Sequence, residues 1–357
     1  MSSTSTSGPA LELGITTFAE TYPDPSTGRL LSHGERLRQV VAEVELAEAV
    51  GLDVYGVGEH HRADFAASSP AVVLAAAAAR TSRIHLTSAV TVLSSDDPVR
   101  VYQDFATLDL LSQGRAEVIA GRGSFIESFP LFGYDLGDYD ELFAEKLELL
   151  LAIRAAAGDG EPVTWSGRHR PALRGVEVHP RTEGHDLPVW VGVGGNPQSV
   201  VRAGVLGLPM ALAIIGGRPA QFAPLADLHR RAVAEAGHDP LPVAVHAHGF
   251  VGESTSAAAD TYYPSYAVAM SQLGRERGWG AMTRRSFDEM RAPQGSLVLG
   301  DPREVADKIL AMRRDLGITR FLLHVSVGTL PHEQVLRAIE LLGTEVRPLV
   351  ERALAPA

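Results

Sequence analysis

The regular alternation of strand-like and helix-like segments is the feature that most constrains how this chain can fold. Short runs rich in Val, Ile and Leu are each followed by a segment whose apolar residues recur at helical spacing. The first such pair spans residues 11–18 and 34–52, and the last spans 320–328 and 332–354. We count eight pairs along the 357 residues. Eight successive strand–helix units predict an α/β fold of the (β/α)8 TIM-barrel type rather than an open doubly wound sheet.

Two insertions interrupt the alternation. Residues 158–187 lie between a helix and the next strand, so we expect them at the amino-terminal face of the barrel. Residues 253–301 lie between a strand and its helix, at the face where barrel enzymes place their active sites, and we interpret this irregular segment as a lid. We therefore predict a single barrel domain over residues 11–357, after a disordered tail over residues 1–10.

Charge and composition exclude several classes of partner. The chain has 32 basic and 43 acidic residues, a formal net charge of −11, and no basic block. Nucleic acid and anionic membrane surfaces are therefore not expected partners, and an anionic ligand would need a locally positive pocket. The longest apolar run, residues 71–79, is too short to span a bilayer. The chain lacks cysteine, which fits a reducing compartment, and we expect a cytoplasmic protein.

Three polar residues, Glu59, His60 and His61, stand at the end of the second predicted strand, in the sequence VYGVGEHHRADF. Side chains alternate along a strand, so Glu59 and His61 should share one side and His60 the other. The two histidines are therefore not expected to bind one metal ion, and the chain has no HExxH motif. The position at a strand end favours a functional role for one of the histidines over a purely structural one.

A second pair of histidines leaves a metal site open as an alternative. His246 and His248 are two residues apart on a predicted strand, which places both imidazoles on one side. Metal-dependent hydrolases built on this fold need further ligands, and His324 and Asp64 could be recruited. Such a site would give no role to the glycine-rich segments described next.

The segment AGRGSF places Arg122 between Gly121 and Gly123, just after a strand. Arginine makes charge-assisted, bidentate hydrogen bonds to phosphate oxygens, and flanking glycines let the backbone approach the ligand closely. We interpret this segment as part of a phosphate site, with an ordinary surface turn as the alternative.

The segment VGVGGNPQSVV runs from a strand through Gly194 and Gly195 into a helix that begins near Asn196. The start of a helix offers free backbone N–H groups to an anion, and Ser199 adds a hydroxyl. It is not a full dinucleotide fingerprint, because Pro197 stands where the last glycine would be. A tight turn with an ordinary helix cap is the alternative.

Together these segments resemble the bacterial luciferase-like family of flavin-dependent oxidoreductases over residues 11–348. The resemblance is carried by GEHH (58–61), TSAVTVLSSDDPVRVYQDFATLDLLSQGR (87–115), GRGSFIESFPLFGYD (121–135) and VWVGVGGNPQSVVRAGVLGLPM (189–210). It implies a TIM barrel that is commonly a homodimer. It also implies an FMN-dependent monooxygenase that uses O2 to oxidise a small organic substrate such as an aldehyde, with reduced flavin supplied by a separate reductase.

The resemblance also implies roles for particular residues. His60 matches the family's histidine for proton transfer, and Ala89 and Val90 match a non-prolyl cis peptide against which the flavin ring packs. The implied contacts to the flavin phosphate and its surroundings are Arg122, Gly123, Ser124, Gly194, Gly195, Asn196 and Ser199.

Three other functions stay open alongside this one. A deazaflavin (F420) dehydrogenase or reductase has the same fold, but its long acidic cofactor tail would need more basic residues than Arg122 at the pocket. A flavin-binding protein without catalysis would not need His60. A metal-dependent hydrolase would use His246 and His248 instead.

Overall fold

Parallel pairing runs without a break around eight strands in the computed structural model, which describes residues 10–123 and 125–355. Each strand pairs with the next, and the last pairs with the first through Gly14 and Leu322, so the sheet closes into the predicted barrel. The strands are β1 (Glu12–Thr17), β2 (Val54–Val57), β3 (His85–Ser88), β4 (Ala116–Gly121), β5 (Val189–Val193), β6 (Met210–Ile214), β7 (Val243–Val251) and β8 (Arg320–His324).

Helices surround the barrel, and two of them begin at an Asp-Pro pair. The side chain of Asp97 accepts hydrogen bonds from two backbone N–H groups of the third helix, and Asp301 does the same for the tenth. The helices are α1 (His33–Ala49), α2 (Pro70–Ala78), α3 (Pro98–Ser112), α4 (Ser128–Phe132), α5 (Tyr139–Asp159), α6 (Pro197–Val205), α7 (Ala223–Glu235), α8 (Thr255–Arg277), α9 (Arg284–Arg291), α10 (Pro302–Leu316), α11 (His332–Leu341) and α12 (Arg347–Leu354).

The insertion at 158–187 extends from the amino-terminal face of the barrel toward its carboxyl-terminal face. It forms an antiparallel hairpin, Val163–Trp165 with Leu173–Val176. Nη1 of Arg168 lies 2.6 Å from Oε2 of Glu141, in the first turn of α5, and Arg170 donates to Asp97 at the start of α3. Both helices begin at the carboxyl ends of their strands. The prediction of an amino-terminal location therefore holds for the ends of this insertion and is wrong for its turn.

The insertion at 253–301 is not irregular, which corrects the expectation from sequence. It consists mainly of α8, α9 and a short strand, Val298–Gly300, that pairs in parallel with the end of β7. Lys308 of α10 anchors this insertion by donating to the carbonyl oxygens of Arg291 and Leu297, at 2.7 and 2.5 Å. A role as a lid remains a prediction.

A buried ion pair occupies the amino-terminal end of the barrel. Arg320 on β8 and Glu117 on β4 form two hydrogen bonds, of 2.5 and 3.0 Å, and the guanidinium lies over the ring of Trp190. Glu12 accepts a third bond from Arg320. These groups fill the end of the barrel opposite the catalytic face.

Residues 1–9 of the predicted tail lie outside the described residues, and the single-domain organisation remains a prediction. None of the helices in the described part of the chain is long and apolar enough to cross a membrane.

Candidate active-site cavity

A cavity of about 880 Å³ lies at the carboxyl ends of the strands. Its volume is within the range of pockets that bind cofactors and small molecules. Every strand of the barrel contributes to its wall, either directly or through the residues that follow the strand. Among these residues are Phe18, His60, Ala89, Val90, Arg122, Gly123, Gly194, Ala213, His246, His248 and His324.

His60 is buried in the wall of this cavity between aromatic rings. Its imidazole stacks on Phe65, with 4.3 Å between ring centroids, and meets the edge of Phe18. Nδ1 lies 3.5 Å from Oε1 of Glu127. Burial raises the pKa of Glu127, but the contact with His60 and backbone hydrogen bonds outweigh it, so this pKa lies below its ordinary value. His60 thus has a carboxylate partner in an otherwise apolar setting.

His61 pairs with Glu59, the residue with which it was predicted to share one side of the strand. Nε2 of His61 lies 2.7 Å from Oε1 of Glu59. This hydrogen bond raises the pKa of His61 above its ordinary value, although burial opposes the shift. The other oxygen of Glu59 accepts from the N–H of Val92 at 2.8 Å. The pair therefore fixes the segment that follows β3.

The peptide bond between Ala89 and Val90 is cis, as the family resemblance implies. Both residues line the cavity. Gly121 and Gly192 make room for Val90: a Cβ atom would lie 2.4 Å from a Val90 methyl carbon at Gly121 and 2.9 Å from one at Gly192. The neighbouring strands thus need glycine at these two positions, and the result is a wall of small apolar groups.

Arg122 reaches the cavity from the loop after β4. Nη1 lies 2.5 Å from Oδ1 of Asp140, and the guanidinium lies over the ring of Tyr139. The hydroxyl of Tyr139 donates to the carbonyl oxygen of Gly123 at 2.6 Å. Gly123 itself has a φ of 80°, a conformation that favours glycine. The start of α5 therefore orients the whole loop.

Arg202 on α6 was not predicted from the sequence, although its guanidinium interacts with the charge of Arg122. Burial lowers the pKa of Arg202 on α6, and the charge of Arg122 lowers it further. Nη1 of Arg202 is buried and has no hydrogen-bond partner within the described ranges. The spacing of three residues from Ser199 places the two side chains on one helical face, and this signal could have identified Arg202.

The second glycine-rich segment is only partly at the cavity. Gly194 lines it, and a Cβ atom there would meet no atom within 4 Å. The Asn196 side chain instead caps α6 by accepting from Gln198 N–H at 2.8 Å, and Ser199 is buried. Asn196, Ser199 and Gly195 do not line the cavity, and Ser124 lies outside the described residues. Their contacts to a phosphate stay predictions.

The polar groups of the cavity wall fit a phosphorylated cofactor. Ser128, at the start of α4, lines the cavity, and its hydroxyl is buried with no hydrogen-bond partner among the residues that the structure describes. An unpaired hydroxyl, a guanidinium and an open glycine backbone in the wall of one cavity together offer donors to phosphate oxygens. The wall at Ala89 and Val90 offers an apolar surface of the kind that a flat ring system packs against.

The alternative metal site is not formed as the sequence allowed. Nε2 of His246 lies 3.4 Å from Nδ1 of His324, whose Nε2 is 2.7 Å from Oε1 of Glu20. Asp64 pairs instead with Arg62. Within residues 10–123 and 125–355, the one group of three side chains with metal-ligand spacing is a surface cluster of Asp138, Glu141 and His169.

Comparisons with known proteins agree with this architecture. The family model for luciferase-like monooxygenases matches residues 11–320. The alkanal monooxygenase alpha chain of the Kryptophanaron alfredi symbiont is 28% identical over 224 residues, which are 62% of this chain and 60% of that protein.

Solved structures share the fold at lower identity. The monooxygenase RslO1 from Streptomyces bottropensis is 24% identical with a TM-score of 0.81, over 95% of this chain and 99% of that one. The oxygenating constituent of 3,6-diketocamphane monooxygenase from Pseudomonas putida, solved with FMN, is 19% identical with a TM-score of 0.74, over 95% and 98%. An F420-dependent secondary alcohol dehydrogenase is 17% identical with a TM-score of 0.72, over 97% and 100%.

Proposed function

The chain belongs to the luciferase-like monooxygenase family, and from this membership we propose that it uses reduced FMN and O2 to oxidise a small organic substrate such as an aldehyde. One observation carries the proposal: His60, the cis peptide at Ala89–Val90 and Arg122 all face the same cavity. A separate reductase would supply the reduced flavin. In line with the family resemblance, we propose a homodimer in the cytoplasm.

Arg122 and Ser128 would bind the phosphate of FMN, and the exposed backbone at Gly194 would leave room for it. Arg202 adds a second positive charge near Arg122, which strengthens the local attraction for an anion in an otherwise acidic protein. Ala89 and Val90 would support the flavin ring. When bound, reduced FMN supplies the electrons that activate O2.

His60 would hold or move a proton during the reaction. If Nδ1 carries its hydrogen toward Glu127, Nε2 is left as the atom that exchanges a proton with the substrate. Phe18, Phe65 and Phe125 surround the imidazole and exclude water from it. A dry surrounding suits chemistry in which water would cause side reactions.

An F420-dependent oxidoreductase is the second candidate, supported by the shared fold with the secondary alcohol dehydrogenase. The long acidic tail of F420 would need several cations around the cavity. Among the described residues, Arg122 and Arg277 are the basic side chains of the lining, and this small number favours FMN. A flavin-binding protein without catalysis is less consistent with the His60–Glu127 contact.

Turnover tests the proposal directly. The purified protein is incubated with FMN, an NADH-dependent flavin reductase and a series of aldehydes, and the products are analysed by mass spectrometry. Incorporation of one atom from ¹⁸O-labelled O2 into product would support a monooxygenase. Reduction or oxidation of the substrate with F420 alone, and no use of O2, would support the second candidate.

A further inference from the structure

A second set of polar side chains lies across the barrel from Arg122. His246 and His248 on β7 and His324 on β8 line the cavity, whereas Arg122 follows β4, three strands from β7 and four from β8 in the closed barrel. None of these three histidines has a role in the proposed binding of the cofactor or in the proposed proton transfer. This side of the cavity therefore has polar side chains without an assigned ligand.

His324 is already fully engaged. Its Nε2 lies 2.7 Å from Oε1 of Glu20, and its Nδ1 lies 3.1 Å from the hydroxyl of Thr16. The other oxygen of Glu20 accepts from the Ser326 hydroxyl at 3.3 Å. Because each carboxylate oxygen of Glu20 already has a donor, Glu20 orients the imidazole of His324, and a cationic ligand would have to compete with these donors for it.

His248 and Tyr266 each carry one unpaired polar atom. Both are buried and both line the cavity. Nδ1 of His248 and the hydroxyl of Tyr266 have no hydrogen-bond partner in the part of the chain that the structure describes. Their ring centroids are 6.0 Å apart. Buried polar groups are almost always paired in native proteins, so two adjacent unpaired groups at one cavity wall indicate a missing polar partner.

The surroundings define the chemistry of that partner. Ala269, Met270 and Leu273 of α8 continue the cavity wall from Tyr266, and they offer only apolar atoms. Burial lowers the pKa of His246 to about 3 and that of His248 well below its ordinary value, and the charge of His324 adds to both shifts. Both imidazoles are therefore uncharged at neutral pH and provide no counter-ion for a carboxylate.

We propose that His248 and Tyr266 bind the carbonyl or hydroxyl oxygen of an uncharged, mainly apolar substrate, and that they select it against acids and amines of the same length. A hydroxyl and an imidazole can each donate or accept, so the pair accommodates either a carbonyl or an alcohol. This inference rests on the proposed function, because it takes the opposite side of the cavity as the flavin site.

Binding of three eight-carbon probes tests the proposal on the full chain. 2-Octanone, octanoate and octylamine are titrated at pH 7.5 by isothermal calorimetry. We expect the ketone to bind at least tenfold more tightly than either charged probe. Equal or tighter binding of octanoate or octylamine, or no binding of the ketone at millimolar concentration, overturns the proposal.

Variants separate the role of these side chains from general damage to the fold. Tyr266→Phe should weaken ketone binding about tenfold, and His248→Phe should do the same, whereas His248→Gln should restore part of the affinity. Tyr262→Phe is the matched control, because the Tyr262 hydroxyl is also buried and unpaired within the described residues but does not line the cavity. Equal effects of Tyr262→Phe and Tyr266→Phe would overturn the assignment.

A parallel titration with FMN distinguishes this inference from the proposed function. Ketone selectivity without any FMN binding would remove the proposed function and leave the subsite. FMN binding without ketone selectivity would remove the subsite and leave the proposed function.

Discussion

Nη1 of Arg122 lies 2.5 Å from Oδ1 of Asp140, so the arginine proposed for phosphate binding is already paired. The side chain of Asp140 is 69% exposed, however. Exposed ion pairs contribute only about 0–1 kcal/mol, because water and salt screen them. A charge-assisted hydrogen bond to a phosphate is worth about 1.5–3 kcal/mol. The phosphate can therefore displace Asp140 from the guanidinium.

Replacing the two members of this pair should have opposite effects. We expect Arg122→Ala to weaken FMN binding by about 1.5–3 kcal/mol, because a charged hydrogen bond is lost. Asp140→Asn should strengthen it by at most about 1 kcal/mol, because a competing exposed charge is removed. Calorimetric titration measures both, with Arg285→Ala as a control at a 90% exposed side chain. Unchanged affinity in Arg122→Ala would remove this residue from the site.

The role of His60 can be separated from flavin binding. His60→Ala should lower turnover by about 10²–10⁴-fold, the usual contribution of a positioned acid or base. Flavin affinity should stay within a few-fold, because no phosphate contact is removed. Coupled assays with a reductase give the rate, and fluorescence titration gives the affinity. Normal turnover in this variant would show that another group transfers the proton.

We expect the buried Arg320–Glu117 pair to contribute strongly to stability, although it lies at the end of the barrel opposite the cavity. Glu117→Gln should lower the free energy of unfolding by about 3–5 kcal/mol, because it leaves a buried guanidinium without a full counter-charge. Glu289→Gln removes an exposed partner of Arg285 and should cost less than about 1 kcal/mol. Urea unfolding at pH 7 compares the two. Similar small losses would contradict the structural role of the buried pair.

The raised pKa of Asp96 predicts that the stability of the protein depends on pH. Burial raises its pKa to about 6, the N–H of Asp97 opposes the shift, and the charge of Glu59 adds to it. The folded protein therefore retains a proton that the unfolded chain loses at lower pH, and this contribution to stability falls as pH rises from about 4 to 6.

Asp96→Asn removes this cost of ionisation. The variant should be more stable than the parent by about 1–3 kcal/mol at pH 7, with no gain near pH 3.5. Urea unfolding at both pH values measures the difference. An equal gain at the two pH values would show that ionisation of Asp96 is not the cause.

The barrel could be predicted because strand and helix periodicities are local properties of the sequence. The helical insertion could not: α8 contains Pro264, and much of its buried surface consists of small residues such as Ala258 and Ala269, which give a weak periodic signal. Side-chain alternation predicted that Glu59 and His61 lie on one side of the strand, and the hydrogen bond between them is consistent with it.

Other features of the site depend on contacts between distant parts of the chain. Asp140 is 18 residues from its partner Arg122, and Glu127 meets His60 across more than sixty residues of sequence. The cis peptide at Ala89–Val90 was implied by the family resemblance alone, because no local pattern of residue types indicates it. The roles of Gly195, Asn196 and Ser199 remain predictions.

The central claim is that the wall carrying Arg122, Ser128 and the Ala89–Val90 peptide binds a phosphorylated flavin. Anaerobic titration of the purified protein with reduced FMN, and separately with reduced F420, tests it most directly. We predict saturable binding of reduced FMN at micromolar concentration, much weaker binding of F420, and loss of FMN affinity in Arg122→Ala. Tight binding of reduced F420 with no association of reduced FMN at millimolar concentration would contradict the claim.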